Sequence, residues 1–339
     1  MPVLSAQQLR TLLQHHLLRV DTPADTARQV ADNLVEASLK GHDSHGVTLL
    51  PRYIQAIEAG DLNPRGELRL LRDEGALLSF HGQRGFGQVL GQKAMDAGIQ
   101  RARDYGVAII GIAEAHHLGR IGAWAEQVAE AGLVSLHFAN VSAPSAVLPF
   151  GGQQPRLGTN PLCVGIPRAQ GDPVILDFAT SAIAGNKARI AWNEGRPLPE
   201  GCAVDHLGNP TTDAGSLMQE PRGSLLAFGG HKGAGLSLIC TLLGAALTGG
   251  QTESHRFPPR PGIINNMLSI LIDPLRLGAG EQYQQEVEAQ LAWIHSSGGE
   301  AQIPGEPEAR HYARRSVEGI SVDAVSWQQF IDLDPARPL

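Results

Sequence analysis

Residues 86–141 read FGQVLGQKAMDAGIQRARDYGVAIIGIAEAHHLGRIGAWAEQVAEAGLVSLHFANV. Two periodicities alternate in this stretch. FGQVLGQKAMDAGIQRARDYG repeats its apolar residues every three to four positions, as a helix packed along one stripe does. VAIIGIAEA is a short, nearly continuous apolar run, the pattern of a strand covered on both faces. IGAWAEQVAEAG returns to helical spacing, and LVSLHFANV to that of a buried strand. Such alternation predicts α/β layers joined by crossover connections.

Upstream, residues 5–40 carry two more helical patterns. Ser5 stands as an N-cap before AQQLRTLLQHHLL, and Thr22 or Asp25 is in place to cap ADTARQVADNLVEASLKG, which closes at Gly41. His15 and His16 are expected on the solvent side of the first helix. VTLLPRYIQAIEAG resumes helical character, and GELRLLRDEGALLSFHGQ reads as two short strands around a turn. Downstream, LCVGIP, PVILDFAT and MLSILIDP are strands, residues 193–223 are polar and turn-rich, and 232–248 form a long apolar helix. The chain closes on a short helix capped by Ser321 or Asp323.

The 339 residues are enough to bury a large core, and the net charge of −7, without a basic run, makes nucleic acid and anionic membranes poor partners. The longest apolar stretch, LSLICTLLGAAL at 236–247, falls short of the ~20 residues that span a bilayer. MPVLSAQQLRTLLQHHLLRV is amphipathic, with no apolar core or cleavage site, and is not a signal peptide. Cys163, Cys202 and Cys240 form no C-x-x-C pair; they read as buried small hydrophobes in a reducing, cytoplasmic compartment.

Glycine-rich α/β chains invite a search for a dinucleotide fingerprint. RGFGQVLG follows a strand and opens a helix, but its third glycine, Gly91, comes one residue late, and Glu114 lies beyond the ~20-residue spacing of a ribose carboxylate. A Rossmann site is therefore rejected. GGHKGAGLSL, at 229–238, is not a Walker A sequence, yet its glycines and Lys232 precede a helix and could receive an anion; the alternative is a turn that lets the helix pack closely.

HDSHGVTLLPRY, at 42–53, and EAHHLGRIG, at 114–122, hold the titratable groups. Gly41 and Gly46 make a turn of the first, and no carboxylate–histidine spacing recurs nearby, so a metal site is not supported. Imidazole titrates near working pH, and a placed histidine, in either pair, can protonate a carbonyl oxygen as it becomes an alkoxide. Asp43 and Ser44 stand where they could orient such a ring, and His116 and His117 end a buried strand. No nucleophile elbow occurs. GTNP (158–161) and LDFATSAIAG (176–185) are strings of small polar groups after strands, suited to ligand contacts or to tight turns.

Together DSHGV with its following PRY, AHHLGRIGAWAEQ, RLGTNPLCVGIPR, LDFATSAIAGNKARIAW, FGGHKGAGLSLI and PGEP resemble the malate/L-lactate dehydrogenase family of the second type, over nearly the whole chain. The resemblance implies a homodimer with its own non-Rossmann nicotinamide-binding α/β fold: an N-terminal helical region (1–75) against which 305–339 packs, a dimerisation or interdomain α/β region (76–120) and an NAD(P)-binding domain (121–304) with a mixed sheet. It implies NAD(H) or NADP(H), no metal, and interconversion of 2-oxo and 2-hydroxy acids, with a cyclic imine-2-carboxylate reductase or a malate- or ureidoglycolate-type dehydrogenase as the alternatives. His45 of the SHG motif, beside Ser44, is its acid/base candidate; His117 matches a residue given that task in one branch. Asp177 matches an aspartate near the nicotinamide that orients the catalytic histidine. Leu176, Phe178, Ala179, Thr180, Ser181 and Ala182, His231 with Lys232, Gly305 with Glu306 and Pro307, and Asn160 match cofactor contacts; Thr159 lies in the turn lining the substrate. Many relatives carry an arginine where this chain has Leu49. Arg52 or Arg120 would then clamp the substrate carboxylate, and Arg120 is favoured because it follows His117. A protein of this fold that binds the cofactor without turnover, as a sensor, is the reading from a different class.

Overall fold

A computed structural model describes residues 2–143, 146–255, 261–278 and 280–334. Val3–Leu4 (β1) leads into Ala6–Arg19 (α1) and Ala24–Leu39 (α2). Two single 3-10 turns, Asp43–His45 and Val47–Leu49, lead to Leu50–Glu58 (α3). A hairpin follows, Arg69–Glu74 (β2) with Leu77–His81 (β3), and then the stretch that opened the reading: Gly87–Tyr105 (α4), Val107–His116 (β4), Gly122–Glu130 (α5) and Val134–Ser142 (β5). Leu162–Ile166 (β6) and Val174–Phe178 (β7) precede Gly185–Asn193 (α6). Ala203–Val204 (β8), Pro210–Thr211 (β9), Gly215–Met218 (α7) and Ser224–Leu225 (β10) come next. His231–Thr241 (α8) runs into one π turn, Leu242–Ala246, and Ile264–Ile272 (β11), Gly280–His295 (α9), Glu306–Glu318 (α10), Ile320–Ser321 (β12) and Ala324–Leu333 (α11) complete the chain.

Seven strands form the main sheet in the order β2-β3-β4-β11-β5-β6-β7. β3 and β4 are parallel, joined by α4. β4 and β5 are not neighbours: β11 lies between them, antiparallel to both. The sheet is thus mixed. INNMLSILI takes that central place because it is buried on both faces, and only an interior position with helices above and below covers both. Its core contains Ile110, Ile112, Met267 and Leu271 of the sheet with Leu90, Ala94, Trp124 and Val128 of α4 and α5. The polar stretch 193–223 folds around a separate three-stranded sheet, β10-β8-β9.

A second core joins the chain ends. Leu9, Leu13, Leu34, Val35, Tyr53 and Ile54 pack with Ile320, Val322 and Phe330, and β1 pairs with β12. The segments 1–75, 76–120 and 121–304 all contribute strands to the one sheet.

Several local expectations need correction. Ser5 caps α1 in a full capping box with Gln8, and Asp323 rather than Ser321 caps α11. α2 instead starts after Pro23 with no side-chain cap; Thr22 is buried and Asp25 sits inside the first turn, where its charge meets the positive end of the helix. His16 is buried, because positions 9, 13, 16 and 17 share the stripe of α1 that faces the core. α10 was not expected at all. The three cysteines are buried.

The glycines of RGFGQVLG pack against protein. A Cβ at Gly85 would strike the backbone of Gly66, one at Gly87 the carbonyls of His117 and His116, and one at Gly91 the indole of Trp124 at 2.6 Å. They let α4 approach the end of β4, which leaves no room there for a phosphate.

Candidate active site

The end of β4, the turn at 42–46 and the start of α3 meet at one point. His45 and His117 lie face to face there, ring centroids 5.6 Å apart and planes 21° apart. Ser44 Oγ shares a hydrogen bond of 2.9 Å with His45 Nδ1. Tyr53 Oη lies 2.6 Å from His117 Nδ1 and accepts a hydrogen bond from Gln88 Nε2 at 2.9 Å. His116 turns the other way: its Nε2 accepts from the backbone N–H of Ile263, and its ring meets Tyr53 edge-on. It is a packing residue of the site.

The electrostatics keep these rings neutral. Burial, then the charges of His42, Lys187 and Arg120, lower His45 to about 3, although one edge of the residue stays exposed. Burial and the neighbouring His45, His116 and Arg52 hold His117 well below the usual histidine range. Burial pushes the Tyr53 hydroxyl up, so it remains a phenol.

The turn is held from outside the sheet. His42 pairs with Glu308 at 3.2 Å, and Asp43 receives Arg315 in a two-pronged ion pair at 2.6 and 3.0 Å. Asp43 therefore anchors the turn to α10 and does not touch the His45 ring. From the other side, Asn186 Nδ2 of α6 donates to the Ser44 carbonyl at 2.9 Å. This contact brings Lys187 toward His45 and Arg189 toward Arg52, and neither was picked out from the sequence. Their only signal was the NKAR that follows the polar string at 176–185. Gln88 was missed as well, because it lies among residues read for a phosphate loop.

The two arginines differ. Arg120 is 3 % exposed, pairs with Glu126 and lies beside Asp177; Glu126, held low by Arg120 and Lys40 against its own burial, is ionised. Asp177 accepts from the Gly122 backbone N–H at 2.7 Å, and its pKa is raised by burial against the pull of Arg120. It has no hydrogen bond to either histidine. Arg52 donates Nε to the Pro261 carbonyl at 2.7 Å and, among the described residues, has no carboxylate within ion-pair distance.

The remaining motif residues converge beside β7. Thr180 donates its N–H and its hydroxyl to the Thr159 carbonyl, Phe228 N–H donates to Thr180 O, and Ala182 N–H donates to Leu226 O. The three polar strings around 159, 180 and 228 are thus laced together. Leu176 and Ala182 are exposed, Phe178 meets Phe228 edge-on, Ala179 is half-buried, and the Ser181 hydroxyl is spent on Ile183 O. Asn160 is fully buried, its oxygen accepting from Val141 N–H and its nitrogen donating to Ser237, Thr241 and Glu253, so only its backbone is free for a ligand. His231 and Lys232 are exposed at the start of α8, whose N-cap, Gly230 (φ +61°), makes no side-chain cap. Gly305 adopts φ +102° against Pro173 and Ile175 of the β7 region; Glu306 pairs with His295 at 3.0 Å, and Pro307 opens α10. Among the described residues no group of three His, Cys, Asp or Glu is placed to hold a metal ion, and no helix is long and apolar enough to cross a membrane.

The sequence profile of the malate/L-lactate dehydrogenases matches residues 4–331. Hydroxycarboxylate dehydrogenase B of Escherichia coli O157:H7 is 41% identical over 334 residues, covering 96% of this chain and 92% of that one. L-lactate dehydrogenase of Cupriavidus necator is 40% identical, with 96% and 95% covered. The crystal structure of Δ1-piperideine-2-carboxylate reductase from Pseudomonas syringae superposes with a TM-score of 0.88 at 34% identity, over 98% of this chain and 100% of that one.

Proposed function

The chain belongs to the malate/L-lactate dehydrogenase family, a hydroxycarboxylate oxidoreductase by that membership, and on this premise we propose that it interconverts 2-oxo and 2-hydroxy acids by hydride transfer with the His45–His117 pair handling the proton. The observation that carries the proposal is the stacked, desolvated pair itself, set beside a guanidinium that has no carboxylate partner among the described residues. A ligand carboxylate is what Arg52 lacks. Its arrival also offsets the positive surroundings that hold the imidazoles neutral, so substrate binding favours uptake of one proton onto the pair. That proton then passes to the alkoxide oxygen at C2. We favour Arg52 over Arg120 for the clamp because Arg120 is 3 % exposed and already paired with Glu126, although its Nε and Nη1 have no hydrogen-bond partner among the described residues.

A nicotinamide dinucleotide, NAD(H) or NADP(H), would supply or accept the hydride when bound. The residues fit such a group: the laced strings around Thr159, Thr180 and Phe228 offer backbone groups and small side chains, and the uncapped start of α8 with Lys232 offers N–H donors and a cation to phosphates. We also take the protein to act as a homodimer, since Leu238, Ile239 and Leu242 leave an exposed apolar patch on α8 and the turn after it. Initial rates with NADH and with NADPH, each against pyruvate, oxaloacetate, phenylpyruvate and Δ1-piperideine-2-carboxylate, test the reading. Turnover with an oxo acid supports it. Turnover confined to the cyclic imine would move the activity to imine reduction, and cofactor binding without turnover on any of them would favour a sensor.

A further inference from the structure

Gln88 has no role in the sequence reading, yet it is 2 % exposed and bonded to Tyr53, the one side chain among the described residues that hydrogen-bonds His117. A tyrosine hydroxyl has a single proton to give. Gln88 Nε2 donates to Tyr53 Oη, so that oxygen is already an acceptor on the Gln88 side, and its own O–H is left to point at His117 Nδ1, 2.6 Å away. Nδ1 is then the acceptor nitrogen, and the one proton of the neutral ring sits on Nε2. The surroundings of Gln88 favour this direction. Nε2 and the Asn33 side-chain oxygen both lie within 3.5 Å of the Cβ position of Gly119, and neither that oxygen nor Gln88 Oε1 has a hydrogen-bond partner among the described residues. An amide oxygen in place of Nε2 would bring a second acceptor toward that oxygen.

We propose that Gln88 is a positioning residue which, through Tyr53, locks His117 as the neutral Nε2–H tautomer, making His117 a fixed hydrogen-bond donor to the substrate oxygen and leaving His45 to exchange the proton. Protonating His117 at Nδ1 would strand the Tyr53 O–H without an acceptor inside a buried cluster, and such stranding is expensive. His45 has no such lock. Its Nδ1 partner is a serine hydroxyl that can donate or accept, and its residue keeps an edge in solvent from which a proton can be replaced. The assignment of the two roles rests on the oxo-acid reading above; the tautomer does not.

The test is 15N NMR of the histidine side chains in the full-length protein without substrate, with the His117 signals identified by their absence from His117→Asn. The wild type is expected to show a protonated Nε2 and a bare Nδ1 at neutral pH. Gln88→Glu places a carboxylate that accepts the Tyr53 O–H, turning Oη into an acceptor for His117 N–H; the signals should shift to a protonated Nδ1. Tyr53→Phe removes the donor and should release the tautomer preference, a second route to the answer if Gln88→Glu folds poorly. Kinetically, Gln88→Glu should lower kcat about 100-fold, as loss of an oriented donor to a developing oxyanion does, and add a titration to the pH profile that the wild type lacks. A protonated Nδ1 in the wild type, or an unchanged pattern in both variants, would overturn the lock. A wild type with the Nε2–H tautomer but no turnover on any oxo or imino acid would sink the dehydrogenase reading and leave the lock standing.

Discussion

The rings of His45 and His117 stack at 5.6 Å, so a proton on one raises the cost of a proton on the other. They titrate as a pair, with at most one charge between them near neutrality. Oxidation of a hydroxy acid requires the pair to begin as a free base, and burial keeps it so: His45 is lowered to about 3 and His117 lies well below 6.5. kcat/KM for oxidation should therefore stay level as the pH falls through 6.5, while kcat/KM for reduction, which consumes a proton, rises over the same range. Initial rates in both directions across that interval check this. An oxidative limb that falls with a midpoint at 6.5 would mean an ordinary, solvated histidine is the base.

Acid stability follows from two other histidines. His116 and His137 are fully buried and lowered to about 3 by burial, and His137 is held between the hydroxyls of Ser269 and Ser135. The folded pKa lies below the unfolded value of 6.5, so below pH 6.5 the unfolded chain binds the extra protons. Stability is complete above 6.5 and is lost as the pH drops toward 3, by up to about 1.4 kcal/mol per pH unit for each histidine. Denaturant melts at several pH values should show this slope. His137→Asn should remove one proton from it; an unchanged slope would show that His137 is solvated in the fold.

Gly87 offers a sharper test of what the glycines of RGFGQVLG do. A methyl group there would press on the carbonyl of His117. Gly87→Ala should destabilise the protein by about 1–3 kcal/mol and lower kcat, since the backbone that must yield carries the site histidine. Gly91→Ala, against Trp124, should cost stability alike but spare kcat. Affinity for the dinucleotide should change in neither, and a weakened cofactor Kd in Gly87→Ala would revive the phosphate-loop reading.

What the sequence made legible was what periodicity and side-chain type encode. The alternation at 86–141 gave the layers, and the paired histidines and the small polar strings marked the surfaces that meet. Register across the sheet was not encoded locally: nothing in INNMLSILI says that it enters between β4 and β5, because a strand buried on both faces fits any interior position. α10 was hidden for the opposite reason. EPEARHYARRSVE buries no residue, so it has no apolar stripe to read, and it is held by Arg315 on Asp43 and Glu308 on His42. Gln88 and Asn186 act through single hydrogen bonds to residues 35 and 142 positions away, which no spacing rule reaches.

The division of labour between the two arginines gives the last prediction. Arg120 stands between Glu126 and Asp177 with almost no exposed surface. Removing it leaves the Asp177 carboxyl without its neighbouring cation and Glu126 with Lys40 alone, a loss of about 3–5 kcal/mol, so Arg120→Met should unfold at markedly lower denaturant, whatever its kinetics. Among the described residues Arg52 leaves behind only the Pro261 carbonyl when it is removed, and its own charge is already disfavoured by burial. Arg52→Met should therefore fold normally and raise KM for oxo acids about 30-fold or more, the loss of ~2 kcal/mol or more expected for one partner of a buried charge pair. Arg52→Lys should recover only part of this, because an ammonium cannot make the paired hydrogen bonds of a guanidinium to a carboxylate. A stable Arg120→Met with raised KM, beside an Arg52→Met with KM unchanged, would return the clamp to Arg120.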